Sequence, residues 1–166
     1  KDDLDLFAQE CGKFGVHLQQ NVPGAEITSG SLGIGLGIAA GIALAAKMDG
    51  KSYRVYCLIG DGEMHEGSIW ETAMFAAHHK MDNLTVIIDR NSLCVTGRTE
   101  EIVALEPLHL KWEGFGWHVQ ECDGHNFNDL LDKIGRISNN KPMIVIARTI
   151  KGKGIPGLEN QVLWHG

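Results

Sequence analysis

The sequence predicts an α/β fold built on a doubly wound, mostly parallel sheet, and three observations carry that expectation. Short apolar runs rich in β-formers at residues 53–59, 84–88 and 142–149 each end abruptly in polar or glycine-rich words, as buried parallel strands do. The stretches between them place apolar residues at helical spacing. Glycine, 21 of 166 residues, runs at nearly double the usual share of ~7% with no collagen period, so the excess belongs to turns and close backbone approaches.

Taken in order, Leu4, Phe7, Cys11 and Phe14 predict an opening amphipathic helix, followed by a loop at Pro23-Gly24. A glycine- and alanine-rich helix is expected over about 31–48, with Ser31 near its start and Asp49-Gly50 as its stop. The strand at 53–59 ends at Gly60-Asp61-Gly62. Ile69, Ala73, Ala76 and Ala77 mark a helix face over roughly 66–80, and the strand at 84–88 ends in Asp89-Arg90-Asn91. Pro107 opens a helix to about Gly116, and 117–121 forms a strand. Asn126 caps a helix whose Phe127, Leu130, Leu131, Ile134 and Ile137 share one face. The last strand, 142–149, runs into Lys151-Gly152-Lys153-Gly154 and an irregular tail. Strands alternating with helices mean parallel βαβ units. No repeat, low-complexity tract or linker interrupts them, so residues 1–166 are expected to form a single domain.

Composition narrows the function. Apolar residues at 43% and charged residues at 22% are globular values. Fifteen basic against 21 acidic side chains give a net charge of −6, which disfavours nucleic acid and anionic membrane as partners. The uncharged run 27–46 is diluted by glycine, serine and threonine and reads as a buried helix rather than a membrane span. Cys11, Cys57, Cys94 and Cys122 form no CxxC pair, and the chain opens without signal-peptide features, so reduced thiols in a cytoplasmic protein are expected. The eight histidines include no zinc-type spacing, since His65-Glu66 lacks the second histidine of HExxH.

In an open α/β sheet, ligands bind beyond the carboxyl ends of the strands. Asp61 follows one strand and Asn91 the next, joined by a single helical crossover, so the two residues are expected to converge although 30 positions apart. A carboxylate and an amide oxygen, with a backbone carbonyl just beyond Asn91, make a hard-oxygen set suited to Mg²⁺ or Ca²⁺. Gly60 and Gly62 allow close approach of a bulky anion, and the helix starting near Glu66 aims N–H groups at the same place. The physical inference is a divalent cation with a phosphate.

Gly60-Asp61-Gly62, 28 intervening residues and Asn91 resemble the thiamine diphosphate motif of the transketolase superfamily. Ser29-Gly30-Ser31-Leu32-Gly33 resembles the TGSLGQG segment of transketolases. Tyr53-Arg54-Val55-Tyr56-Cys57, Glu66-Gly67-Ser68-Ile69-Trp70-Glu71, and Leu93 with Gly97 extend the likeness. So do Phe115-Gly116-Trp117-His118, Asp123-Gly124-His125, Lys151-Gly152-Lys153-Gly154 and Trp164-His165-Gly166.

The resemblance implies a thiamine diphosphate-binding fold and transfer of a two-carbon ketol unit between sugar phosphates, as in the pentose phosphate pathway. By position, Asp61, Asn91 and the carbonyl of Leu93 would hold Mg²⁺ (or Ca²⁺ or Mn²⁺), and Gly62 would touch the diphosphate. Gly30, Ser31 and Leu32 would lie against the cofactor. Lys151 and His165 match positions at the diphosphate and the reacting end, and His17 falls near a substrate-contacting histidine usually written GHP, here between Val16 and Leu18. Glu66 and Glu71 match acidic positions linking paired active sites. The family also uses histidines from an upstream segment and a glutamate from a pyrimidine-binding domain. The chain is therefore expected to be a segment of a longer protein or the N-terminal subunit of a split transketolase, acting as a homodimer or with a C-terminal partner subunit. Other thiamine enzymes (deoxyxylulose-phosphate synthase, the α subunit of a 2-oxo acid dehydrogenase) and a non-catalytic phosphate- or nucleotide-binding module remain as alternatives.

Overall fold

The computed structural model describes residues 5–10 and 12–164. Four strands, β1 (Val55–Gly60), β2 (Leu84–Arg90), β5 (His118–Asp123) and β6 (Met143–Arg148), form one parallel sheet in the order β1-β2-β6-β5. A small antiparallel hairpin, β3 (Leu93–Cys94) with β4 (Gly97–Arg98), follows β2. The helices are α1 (Ile34–Met48), α2 (Gly67–His78), α3 (Thr99–Ile102), α4 (Leu108–Gly114) and α5 (Phe127–Ile134), with a 3₁₀ turn at Gly62–His65.

The central strand β6 explains its own composition. Met143, Ile144, Val145, Ile146 and Ala147 are all buried, because both faces of this strand are covered. Ile144 and Ile146 join a core with Leu36 and Ala43 of α1, Ile69 and Ala73 of α2, and Trp112 of α4. Met143, Val145 and Ala147 face the other side, against Cys122 and against Leu130 and Ile134 of α5. Helices thus lie on both faces, the doubly wound arrangement the alternation predicts. The second face is covered unevenly: on β1, at the sheet's edge, Tyr56 and Leu58 stand exposed, Leu58 by 71%.

Several local expectations are corrected. Leu4 and Cys11 of the predicted opening helix lie outside the described residues. The described part of residues 6–14 makes turns, with the Ala8 N–H bonded to the Phe14 carbonyl at 2.8 Å. Leu6 and Phe7 are exposed, so a helix there has no surface on which to bury its apolar stripe. The glycine helix begins three residues late, because Gly33 adopts φ 79, a left-handed conformation outside any helix. The last helix stops at Ile134, leaving Ile137 exposed beyond it. Among the described residues no helix is long and apolar enough to cross a membrane.

Candidate functional site

β1 and β2 are parallel neighbours with Gly60 level with Asp89, so the residues that follow them emerge side by side. The Asp61 N–H donates to the Asp89 carbonyl at 3.2 Å, carrying the pairing one step past β1. The Asp61 side chain is 1% exposed, and both its oxygens accept hydrogen bonds. Its Oδ1 accepts the Gly62 N–H at 2.8 Å, and its Oδ2 accepts the Ser92 N–H at 2.5 Å and Arg90 Nη1 at 2.9 Å. Asn91 Oδ1 accepts the Leu93 N–H at 2.9 Å, an Asx turn that starts the β3–β4 hairpin. Ser92, at φ 68, completes the reversal. The hairpin lies close over the motif, since a Cβ on Gly62 would come within 2.6 Å of Cys94 Cβ.

The glycine-rich segment before α1 reaches the same edge of the sheet. Glu63 joins the two: its Oε1 accepts the Gly33 N–H at 2.9 Å and its Oε2 the Gly60 N–H at 3.1 Å. Ser68 Oγ donates to the Gly33 carbonyl at 2.9 Å. A Cβ on Gly33 would come within 2.4 Å of Ser68 Oγ and 2.7 Å of Glu66 Cβ, so only glycine fits this crossing. Gly30, Ser31 and Leu32 are exposed just upstream, and Gly30 and Ser31 line a cleft of about 230 Å³ shared with Thr28, Ile34 and Ile38. His17 comes to this segment: a Cβ on Gly30 would sit 3.4 Å from its ring.

At the end of β6, Thr149 Oγ1 donates to Asp89 Oδ1 and the Thr149 N–H to the Arg90 carbonyl. The Ile150 N–H donates to His125 Nε2 at 2.7 Å. These bonds fix the backbone entering Lys151, whose ammonium has no ion-pair partner among the described residues. His165 lies outside the described residues. Glu66 sits beneath Gly33, and Glu71 is exposed on α2.

Sequence reasoning missed two residues that hold this arrangement together. Glu63 was legible only as an acidic residue after the motif. Arg90 is 3% exposed and bonds Asp61, Thr99, Glu100 and Glu106 at once. The available signal was a lone cation closing an apolar strand, with Glu100 and Glu106 soon after. Burial of the Glu106 carboxyl, which alone would raise its pKa, is outweighed by hydrogen bonds from the Leu108 N–H, Arg90 and Arg148 and by the Arg90 charge. They hold it at about 2.

Among the described residues no group of three or more His, Cys, Asp or Glu is placed to hold a metal ion by itself. A small hard cation does fit. Asp61 Oδ1 and Asn91 Oδ1 each accept a single N–H bond, which leaves each a lone pair. The glycine at 62 keeps side-chain bulk away from the place a diphosphate would take.

These features define an α/β protein in which a candidate site lies at the carboxyl ends of adjacent parallel strands. The fold is similar to that of the solved transketolase of Campylobacter jejuni, with a TM-score of 0.89 and 30% identity, covering 98% of this chain and 27% of that one. Residues 2–166 match the family described as "Transketolase, thiamine diphosphate binding domain", and the chain belongs to that family. It is 45% identical over 167 residues to one of the subunits of the apulose-4-phosphate transketolase of Actinobacillus succinogenes, covering 99% of this chain and 60% of the relative. It is 43% identical over 142 residues to human transketolase, covering 85% of this chain and 23% of that protein. The chain thus spans about 60% of the length of the Actinobacillus relative and about a quarter of the single-chain transketolase.

Proposed function

We propose that this chain is the diphosphate-holding domain, spanning residues 1–166, of a transketolase-type enzyme that moves a two-carbon ketol unit between sugar phosphates in the cytoplasm. The observation that carries the reading is the meeting of Asp61 and the Asn91–Leu93 turn at adjacent parallel strand ends, tied by the Ser92 N–H to Asp61 bond. Asp61, Asn91 and the Leu93 carbonyl hold Mg²⁺, with Ca²⁺ or Mn²⁺ as substitutes, and Gly62 lies against the diphosphate. Gly30, Ser31 and Leu32 present backbone to the cofactor. Lys151 supplies a cation for the diphosphate, and His17 and His165 serve the reacting end. When bound, thiamine diphosphate supplies the carbanion-stabilising chemistry of ketol transfer. The chain's own residues bind, orient and neutralise.

A paired assembly, either a homodimer or a complex with a subunit carrying the pyrimidine-binding region, completes the site. Two observations support this: the relative from Actinobacillus succinogenes is named as one subunit of its enzyme, and Gly35 and Gly41 of α1 have no atom within 4 Å of an added Cβ. Packing within this domain therefore leaves those helical glycines unexplained, although each costs about 1 kcal/mol against alanine.

The test is calorimetric titration of thiamine diphosphate into the complete protein, with MgCl₂ and with EDTA. Asp61→Ala and Asn91→Ala should each weaken Mg²⁺-dependent binding by roughly 100-fold. An Asp61→Ala protein with unchanged affinity and Mg²⁺ dependence refutes the reading.

A further inference from the structure

Residues 150–164 follow β6 and fold back on themselves. The Asn160 N–H donates to the Lys151 carbonyl at 2.9 Å, and the Gly154 N–H to Glu159 Oε1 at 3.1 Å. Lys153 pairs with the same carboxylate at 3.7 Å. Gly152, at φ 73, passes so close to Leu158 that an added Cβ would stand 2.7 Å from its carbonyl oxygen. The segment is tied to itself far more than to its surroundings. Among the described residues, one hydrogen bond joins it to the rest of the domain and no ion pair does: the Ile150 N–H donates to His125 Nε2 at 2.7 Å.

The turn that carries His125 is itself held. The His125 N–H donates to Asp123 Oδ1 at 2.9 Å, and the Asp123 N–H to Asp129 Oδ2 at 2.9 Å in the first turn of α5. The Gly124 N–H donates to the Arg148 carbonyl at 2.8 Å. A Cβ at 124 would come within 2.5 Å of Thr149 Cγ2, so a glycine there lets the turn close against the end of β6. An imidazole nitrogen that accepts an N–H bond carries no proton itself. The ring is therefore neutral, with its proton on Nδ1.

We propose that neutral His125 is a positioning residue: it holds the 150–164 segment where Lys151 meets the diphosphate, and its protonation weakens cofactor binding. The inference rests on the cofactor reading above. A proton on Nε2 sets donor against donor at the Ile150 N–H and frees the segment at its one anchor. Histidine side chains ordinarily gain that proton as the pH falls from about 8 to about 5. The charged groups around the ring come from three elements. Asp123 lies on its own turn and Asp129 at the start of α5, while Lys151, Lys153 and Glu159 belong to the segment. The Gly154 N–H, Lys153 and the nearby His125 charge hold the Glu159 carboxyl below the usual carboxylate range. On β6, Arg148 is taken by Glu106 and Glu121.

The experiment titrates thiamine diphosphate, with MgCl₂ present, into the complete protein by calorimetry at about pH 8 and about pH 5.5. His125→Gln offers an acceptor oxygen in place of Nε2 and takes no proton in this range. His125→Ala leaves the Ile150 N–H without its partner. At the higher pH, His125→Gln should bind like the parent and His125→Ala about 5-fold more weakly, the net worth of one such bond. At the lower pH the parent should fall about 5-fold below His125→Gln. Titration of the diphosphate and of the other histidines is common to both proteins and drops out of that ratio. Hydrogen exchange in the cofactor-free protein should be slow at Ile150 in the parent and in His125→Gln, and fast in His125→Ala. A His125→Ala protein that binds like the parent overturns the proposal. So does a failure of glutamine to rescue binding, or a ratio of parent to His125→Gln affinity that ignores pH. A parent that shows no thiamine diphosphate binding refutes the cofactor reading itself, and this inference with it.

Discussion

Replacing Glu63 with glutamine tests whether a carboxylate, rather than a polar side chain of that shape, closes the crossing between the glycine segment and β1. Both partners of Glu63 are backbone donors, the N–H of Gly33 and the N–H of Gly60. A carboxylate accepts at both oxygens. An amide accepts at one and presents N–H groups to the other, so glutamine keeps at most one bond and sets donor against donor at the second. A hydrogen bond to a charged group contributes about 1.5–3 kcal/mol, and the half-buried setting favours the lower end. Loss of one such bond predicts about 2 kcal/mol of destabilisation, or roughly 4–8 °C in Tm for a chain of this size. Thermal unfolding of the complete protein without cofactor or cation measures it. Hydrogen exchange at Gly33 and Gly60 shows which amide has lost its acceptor. A Glu63→Gln protein that melts with the parent and keeps both amides protected would show that the carboxylate is dispensable.

Gly62→Ala should push the β3–β4 hairpin off the motif and weaken cofactor binding, because its Cβ meets Cys94 Cβ at 2.6 Å. Adding Cys94→Gly removes the obstructing atom and should restore binding; calorimetry on the single and double variants checks this, and absence of rescue disproves the steric account. Acid should loosen the segment clamped by Arg90. The carboxyl of Glu106 sits at about 2 in the folded chain against 4.5 ordinarily, so its contribution is complete above about pH 4.5 and is lost as the pH falls towards 2. Glu106→Gln should flatten that part of the stability–pH curve, and an unaltered acid limb in urea unfolding would show the contribution lies elsewhere.

Most of the architecture was legible because the signals were local. The strands announced themselves as apolar runs, and β6 read clearly because both its faces are buried. The convergence of Asp61 with Asn91 followed from one crossover between parallel strands. Tertiary contacts hid the rest. The opening apolar spacing at Phe7 and Phe14 suggests a helix, but the described residues there make turns and Phe7 stands exposed. By sequence Gly33 reads as one more helical glycine; its left-handed φ, and the Ser68 and Glu66 side chains that leave no room for a Cβ there, are tertiary features. Arg90 was opaque for a different reason. Its four partners are spread from Asp61 to Glu106, and no spacing rule joins a strand-end arginine to carboxylates on other elements.

The bare flank of β1 bears on how this stretch of chain behaves when handled alone. Among the described residues β1 has a strand on one side only, and Tyr56 and Leu58 stand exposed on it. An edge of that kind is a template for the same strand of another molecule, and its apolar side chains reward the pairing. Handled alone, the polypeptide is therefore prone to edge-to-edge self-association, and low solubility would report that exposed flank rather than a misfolded core. A charged residue at Leu58 is the gatekeeper that would keep it in solution.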